Sequence, residues 1–134
     1  MKPLPQNPRE PKTTPTHKQL LGKKGEDLAA SYLEQHGYRI IDRNFKARYG
    51  EIDIIAIKDA ILIFIEVKTR VGRAFGLPEE AVTPRKLNEV VGTARYYKLL
   101  HPELPDAMRI DVIGIELEFD ETLKYFNHIE NVTQ

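Results

Sequence analysis

The run Ile61-Leu62-Ile63-Phe64-Ile65, which breaks at once into Glu66-Val67-Lys68, constrains this chain more than any other segment. A strand points successive side chains to opposite faces, so an unbroken apolar run demands cover on both sides. It reads as a central strand, Ile61 to Lys68, and as the core of the domain. In a chain of 134 residues there is room for one such core and not for two of ordinary size. The expected class is therefore α/β, with one domain over 18–134.

The flanking segments fit that frame. Tyr38 to Phe45 and Gly50 to Ile57 read as strands, and Lys58-Asp59-Ala60 is short enough to turn a hairpin into the central strand. Before them, Lys18 to Gln35 carries Leu21, Leu28, Ala29 and Tyr32 at helical spacing, with Gly37 placed to end the helix. Gly22 and Gly25 weaken that helix and allow close approach to a neighbour. After the central strand comes a loop with Gly72 and Gly76. Thr83-Pro84 then opens a second helix whose apolar stripe is Leu87, Val90, Val91, Ala94 and Tyr97. Met108 to Leu117 and Leu123 to Ile129 read as two more strands. Residues 1–17 hold five of the nine prolines and almost no large apolar side chain, which predicts a disordered basic arm.

Charge and composition exclude several classes of function. Formal net charge is +0, so bulk charge alone does not hold this chain to nucleic acid, although the basic N-terminal end can approach phosphate. Cysteine is absent, which removes disulfide and thiolate chemistry and leaves oxygen or imidazole as metal ligands. No stretch approaches the roughly 18 apolar residues of a membrane span, and the first residues lack a secretion signal's apolar core. A cytoplasmic protein without membrane contact is expected.

Chemistry is expected at the polar end of the central strand. Glu66 and Lys68 share one face there, and Glu51 and Asp53 share a side of the preceding strand, with Ile52 and Ile54 on the other. An exposed Glu–Lys pair would be an ordinary ion pair worth about 0–1 kcal/mol. The neighbouring aspartate changes this, because converging carboxylates repel by roughly 1–4 kcal/mol under surface-like dielectric. Such a cluster needs separation, a shared proton or a cation, and Mg²⁺ or Mn²⁺ suits oxygen ligands best. Glu26 lies at the edge of the first helix's apolar stripe and can look along the sheet toward the strand ends, whereas Asp27 points away. Arg48, Arg70, Arg73 and Lys86 are the candidate phosphate contacts, Arg70 and Arg73 in the loop after the central strand. Tyr97 belongs to the helix stripe and reads as core rather than as a base-stacking residue. The four histidines show no ligand spacing.

The arrangement G-E-I-D-I-I at Gly50 to Ile55, followed by F-I-E-V-K-T-R at Phe64 to Arg70, resembles the PD-(D/E)xK nuclease superfamily. More closely, with G-x-x-G-E-D-x-A at Gly22 to Ala29 and A-V-T-P-x-K at Ala81 to Lys86, the chain is similar to the YraN family of uncharacterised bacterial proteins. Members of that family resemble Holliday junction resolvases. The resemblance implies a restriction-endonuclease-like core, a central mixed sheet flanked by helices. It implies a metal-dependent nuclease acting on branched or single-stranded DNA, and a homodimer. Asp53, Glu66 and Lys68 would be the catalytic residues, and Glu26, Asp53 and Glu66 the metal ligands. Glu51 is either a further ligand or a hydrogen-bonding partner of one. Ile52 stands where the superfamily motif has proline, but the chemistry uses the carboxylate. A binding or scaffold module that keeps the fold without cleavage is the alternative from another class.

Overall fold

The computed structural model describes residues 14–133. The arm expected over 1–17 falls largely outside them, and its last residues belong to the fold. Thr16 caps helix α1 (His17–Gln35), its hydroxyl accepting from the Gln19 N–H at 3.1 Å while Gln19 Oε1 accepts from the Thr16 N–H at 2.9 Å. This reciprocal capping starts the helix just ahead of the apolar spacing that predicts it.

Strands β1 (Arg39–Ala47), β2 (Gly50–Lys58), β3 (Ile61–Val71), β4 (Met108–Leu117) and β5 (Leu123–Ile129) form one sheet in the order β1-β2-β3-β4-β5. The β3–β4 pair is parallel and the other three pairs are antiparallel, so the sheet is mixed. Helix α2 (Pro84–Leu100) makes the crossover between the parallel strands, starting at a Thr83 cap whose hydroxyl accepts from the Lys86 N–H. The Asp59-Ala60 turn between β2 and β3 holds both residues at positive φ, 51° and 60°, the geometry of a tight hairpin.

β3 is the middle strand and is covered on both faces. Ile63 and Ile65 pack with Ala29, Ala30 and Leu33 of α1, while Leu62 and Phe64 pack with Val90, Ala94 and Tyr97 of α2. The fold is thus an α/β sandwich with a helix on each side of a mixed sheet, compatible with a restriction-endonuclease-like core. Tyr97 is core, as its place in the stripe predicts.

Several local expectations change. Ile52 and Ile54 do not share a face: Ile52 packs under α2 and Ile54 under α1. The alternation breaks at Asp53, and the opposing β1 segment has Asn44 at φ 55°, a left-handed residue inside a strand. Arg70 lies within β3, paired in register with Glu116, and not in the loop. That loop contains a short 3₁₀ turn, Pro78–Ala81, which sequence periodicity is too short to reveal. Of the two helix glycines only Gly25 is needed for close approach. A Cβ there would sit 1.8 Å from Thr69 Oγ1, whereas at Gly22 nothing among the described residues lies within 4 Å.

Candidate active site

β2 and β3 pair from Lys58↔Ile61 up to Ile54↔Ile65, and the register ends there. Beyond that point Asp53 replaces the missing ladder contact with its side chain, Oδ2 accepting from the Val67 backbone N–H at 2.8 Å. The divergence of the two strands opens a cavity of about 380 Å³ lined by Glu51, Asp53, Glu66, Val67, Lys68 and, from the α2 side, Ala81, Val82 and Lys86. The apolar run positions Glu66 here by parity. It continues the Leu62, Phe64 alternation toward α2, and Lys68 follows it.

The electrostatics of this cavity are those of unbalanced buried acid. Glu66 is only 8% exposed, and its buried Oε2 meets no donor among the described residues, the Asp53 side chain being the group within hydrogen-bonding reach of this carboxyl. Lys86 Nζ stands 3.9 Å from Glu66 Oε1, too far for a hydrogen bond. Burial, and then the charge of Asp53, push the Glu66 carboxyl up to about 8. Burial likewise raises Asp53 to about 6, with the charges of Glu26 and Glu51 adding and the Val67 bond and Lys86 opposing. Burial lowers the Lys68 ammonium from its ordinary value, and the charges of Arg70 and Lys18 act in the same direction. Each shift follows from placing like charges in a partly dehydrated cleft.

Glu26 occupies a different environment. It is buried on the face of α1 that covers the sheet, and its Oε1 accepts from Arg43 Nε at 3.1 Å, Arg43 Nη2 at 3.0 Å and Asn44 Nδ2 at 3.0 Å. It does not line the cavity, although its charge reaches Asp53. Asp27 points outward, as expected, and shares Arg43 at 2.6 Å. Among the described residues no three His, Asp or Glu side chains are grouped closely enough to enclose a metal ion. The neighbouring carboxyls of Asp53 and Glu66, both raised and one with an oxygen that meets no donor among the described residues, still fit a hard cation. Mg²⁺ commonly takes one or two protein carboxylates and completes its shell with water and phosphate.

The candidate phosphate contacts separate as well. Lys86 lines the acidic cavity, and Arg70 leaves β3 beyond Lys68. Arg73 is committed elsewhere: its Nε donates to the fully buried Glu116 at 2.8 Å, and its guanidinium lies 5.1 Å from the centre of the Tyr125 ring. Arg48 sits at the β1–β2 hairpin with its guanidinium over Tyr49. Sequence reasoning missed Arg43 and Asn44, which hold Glu26, and the buried acids Asp111 and Glu116 of β4. The latter two carried a visible signal, because each interrupts an apolar strand much as Glu66 does.

Comparison with known proteins places this architecture in a family. The UPF0102 protein of Syntrophomonas wolfei is 45% identical over 111 residues, covering 83% of this chain and 95% of that protein. The UPF0102 protein of Chlorobium phaeobacteroides is 50% identical over 96 residues, 72% of this chain and 76% of its own length. That of Geobacter sulfurreducens is 46% identical over 101 residues, 75% and 79% of the two chains. The profile of the uncharacterised protein family UPF0102 matches residues 25–115, a span that holds Glu26, Asp53, Glu66, Lys68 and Lys86. The chain belongs to UPF0102, the YraN family.

Proposed function

We propose that this protein is a divalent-metal-dependent nuclease hydrolysing phosphodiester bonds in DNA, with its site in the cleft between the diverging ends of β2 and β3. The observation that carries the reading is the Glu66 carboxylate, buried beside Asp53 with one oxygen that meets no donor among the described residues and two lysines within the same cavity. Without a cation, burial and the Asp53 charge raise Glu66 so that the two carboxyls share a proton, and a cation held between them would relieve the same repulsion.

Asp53 and Glu66 would hold Mg²⁺ or Mn²⁺, with the Val67 carbonyl and Glu51 as further oxygen donors. Glu26 would join them only if Arg43 released it. The cation supplies Lewis-acid activation of phosphate and water. The chain's own residues do the rest. The Val67 N–H fixes the rotamer of Asp53, so the carboxylate is positioned before substrate arrives. Lys68 donates to the attacking water or to the phosphate oxygens that gain charge, and its lowered pKa eases proton exchange there. Lys86 holds the α2 side of the cavity positive against a phosphate anion. Arg70 extends the basic rim along the strand.

Incubation with junction, flap and single-stranded DNA in Mg²⁺ and Mn²⁺ tests the reading, with Asp53→Asn as control for contaminating nuclease. Cleavage that Asp53→Asn abolishes is the expected result. DNA binding with no cleavage in either cation would instead assign a non-catalytic binding module.

A further inference from the structure

A second cavity, larger than the acidic one, lies further along α2, at the β1–β2 hairpin. It is a groove of about 730 Å³ lined by Phe45, Lys46, Arg48, Tyr49, Thr93 and Tyr96, among others, and floored by the β1–β2 hairpin against α2. The size is within the range of small-molecule pockets. Its walls are aromatic and its rim is cationic; Phe45 also packs on the core against Tyr97, whereas Tyr49, Tyr96, Lys46 and Arg48 are exposed. Tyr49 is 77% exposed and Tyr96 48% exposed, while Tyr97, the adjacent helix residue, is buried. Phe45 forms the inner wall, its ring 6.4 Å from Tyr96 and inclined by 32°. Lys46 and Arg48 are both exposed, and the one acid of the lining, Glu89, lies 4.0 Å from Arg85.

We infer that this groove seats an unpaired base of the nucleic-acid substrate between Tyr49 and Tyr96, with Lys46 and Arg48 on the adjoining phosphates. The inference rests on the nuclease reading for the choice of ligand, and it deepens that reading by specifying single-stranded or splayed DNA. A base offers a π-face to any aromatic wall and a phosphate to any flanking cation, which is the combination found here. Position supports the assignment. Lys46 pairs in register with Glu51, which lines the acidic cavity, and Asn88 and Glu89 of the groove follow Lys86 within one turn of α2. Tyr49 is the hairpin-turn residue immediately before β2, and Asp53 stands four positions further on, so the two are at most roughly 13 Å apart along the chain at the rise of a strand. A strand of DNA held at the groove would therefore present a phosphodiester a few nucleotides away to the acidic cleft. Gly50 lets the start of β2 pack closely on α2 beside the groove, because a Cβ there would lie 2.8 Å from Thr93 Oγ1.

The test uses the full chain in EDTA, so that neither metal binding nor cleavage enters. Anisotropy of a labelled oligothymidylate gives affinity, and quenching of 2-aminopurine within an oligonucleotide reports stacking. Tyr49→Ala and Tyr96→Ala remove exposed rings and should each weaken oligothymidylate binding about 5- to 100-fold and reduce the quenching. Binding of a blunt duplex should change little. Arg48→Ala should weaken both ligands and flatten the salt dependence. Unchanged oligothymidylate affinity in both tyrosine variants overturns the inference, as does a wild-type protein that binds no single strand. Sedimentation that shows the tyrosine variants converting a dimer to a monomer at unaltered DNA affinity would assign the groove to a second copy of the chain. If tyrosine-dependent binding is found but no cation supports cleavage, the nuclease reading fails and the base-binding groove stands.

Discussion

Asp53 of β2 accepts a hydrogen bond from the backbone N–H of Val67 in β3 at 2.8 Å, where the two strands have already ceased to pair. One side chain thus ties the diverging strands together and points a carboxylate at Glu66. Asp53→Asn retains an oxygen acceptor for that N–H, so thermal stability should hold or rise. Mn²⁺ binding by calorimetry should weaken and cleavage should be lost. A large fall in melting temperature would show that the charge, and not the acceptor, holds the strands.

Lys68→Met separates binding of the cation from catalysis. The change keeps the bulk of the stem and removes a positive charge, so Mn²⁺ should bind as well as before or better. Cleavage should nevertheless fall by about 100-fold or more, the scale on which a single charge-stabilising donor acts. Cleavage at the wild-type rate would make the lysine structural.

Glu66→Gln should stabilise the metal-free fold, and increasingly so as pH rises. The folded carboxyl titrates at about 8 against an unfolded value near 4.5. Between those values the unfolded chain ionises while the folded one keeps its proton, so wild-type stability falls with pH across that window. Asp53, raised to about 6, adds to the fall in the lower part. Glutamine cannot ionise, so denaturant melts at pH 5 and pH 8 should show a gain at pH 8 of roughly 2–4 kcal/mol. A gain independent of pH would point to a packing effect instead.

The two glycines of α1 should respond in opposite directions to alanine. Gly22→Ala meets nothing within 4 Å among the described residues and should stabilise by about 0.5–1 kcal/mol through helix propensity. Gly25→Ala drives a methyl into Thr69 of β3 and should cost about 1–3 kcal/mol, since α1 and β3 must separate. Urea melts of both variants measure the pair, and equal effects would refute the close contact.

Asp111 anchors the far side of the sheet. It is fully buried, takes two bonds from Arg109 at 2.8 and 3.1 Å, and meets His128 Nε2 at 2.8 Å and the Asn131 N–H at 3.0 Å. Although burial alone would raise it, these partners together hold its carboxyl below the usual value. Asp111→Ala removes the shared partner of Arg109, His128 and the Asn131 N–H, leaving the partly buried guanidinium only Tyr38 and Glu130 among the described residues, and should cost about 2–4 kcal/mol by denaturant unfolding. A loss below about 1 kcal/mol would show that Arg109 finds water instead.

The apolar run Ile61 to Ile65 is enough to demand a central strand covered on both faces, because strand parity sends its side chains to each side in turn. The same parity put Glu66 and Lys68 together, and Thr83-Pro84 marked the second helix through cap chemistry that is local in the chain. What depended on contacts between distant segments was not written in any local pattern. Arg43 and Asn44 reach Glu26 from another element, and Arg73 turns to Glu116 across the sheet. The break in alternation at Asp53 arises where Asn44 adopts a left-handed backbone on the partner strand. The helix stripe already put Tyr97 in the core, but that Tyr96 faces a groove and that the Glu66 Oε2 meets no donor among the described residues follow only from the assembled fold. Periodicity tells which residues share a face of one element, whereas partners, desolvation and the space left between elements follow from how the elements are assembled.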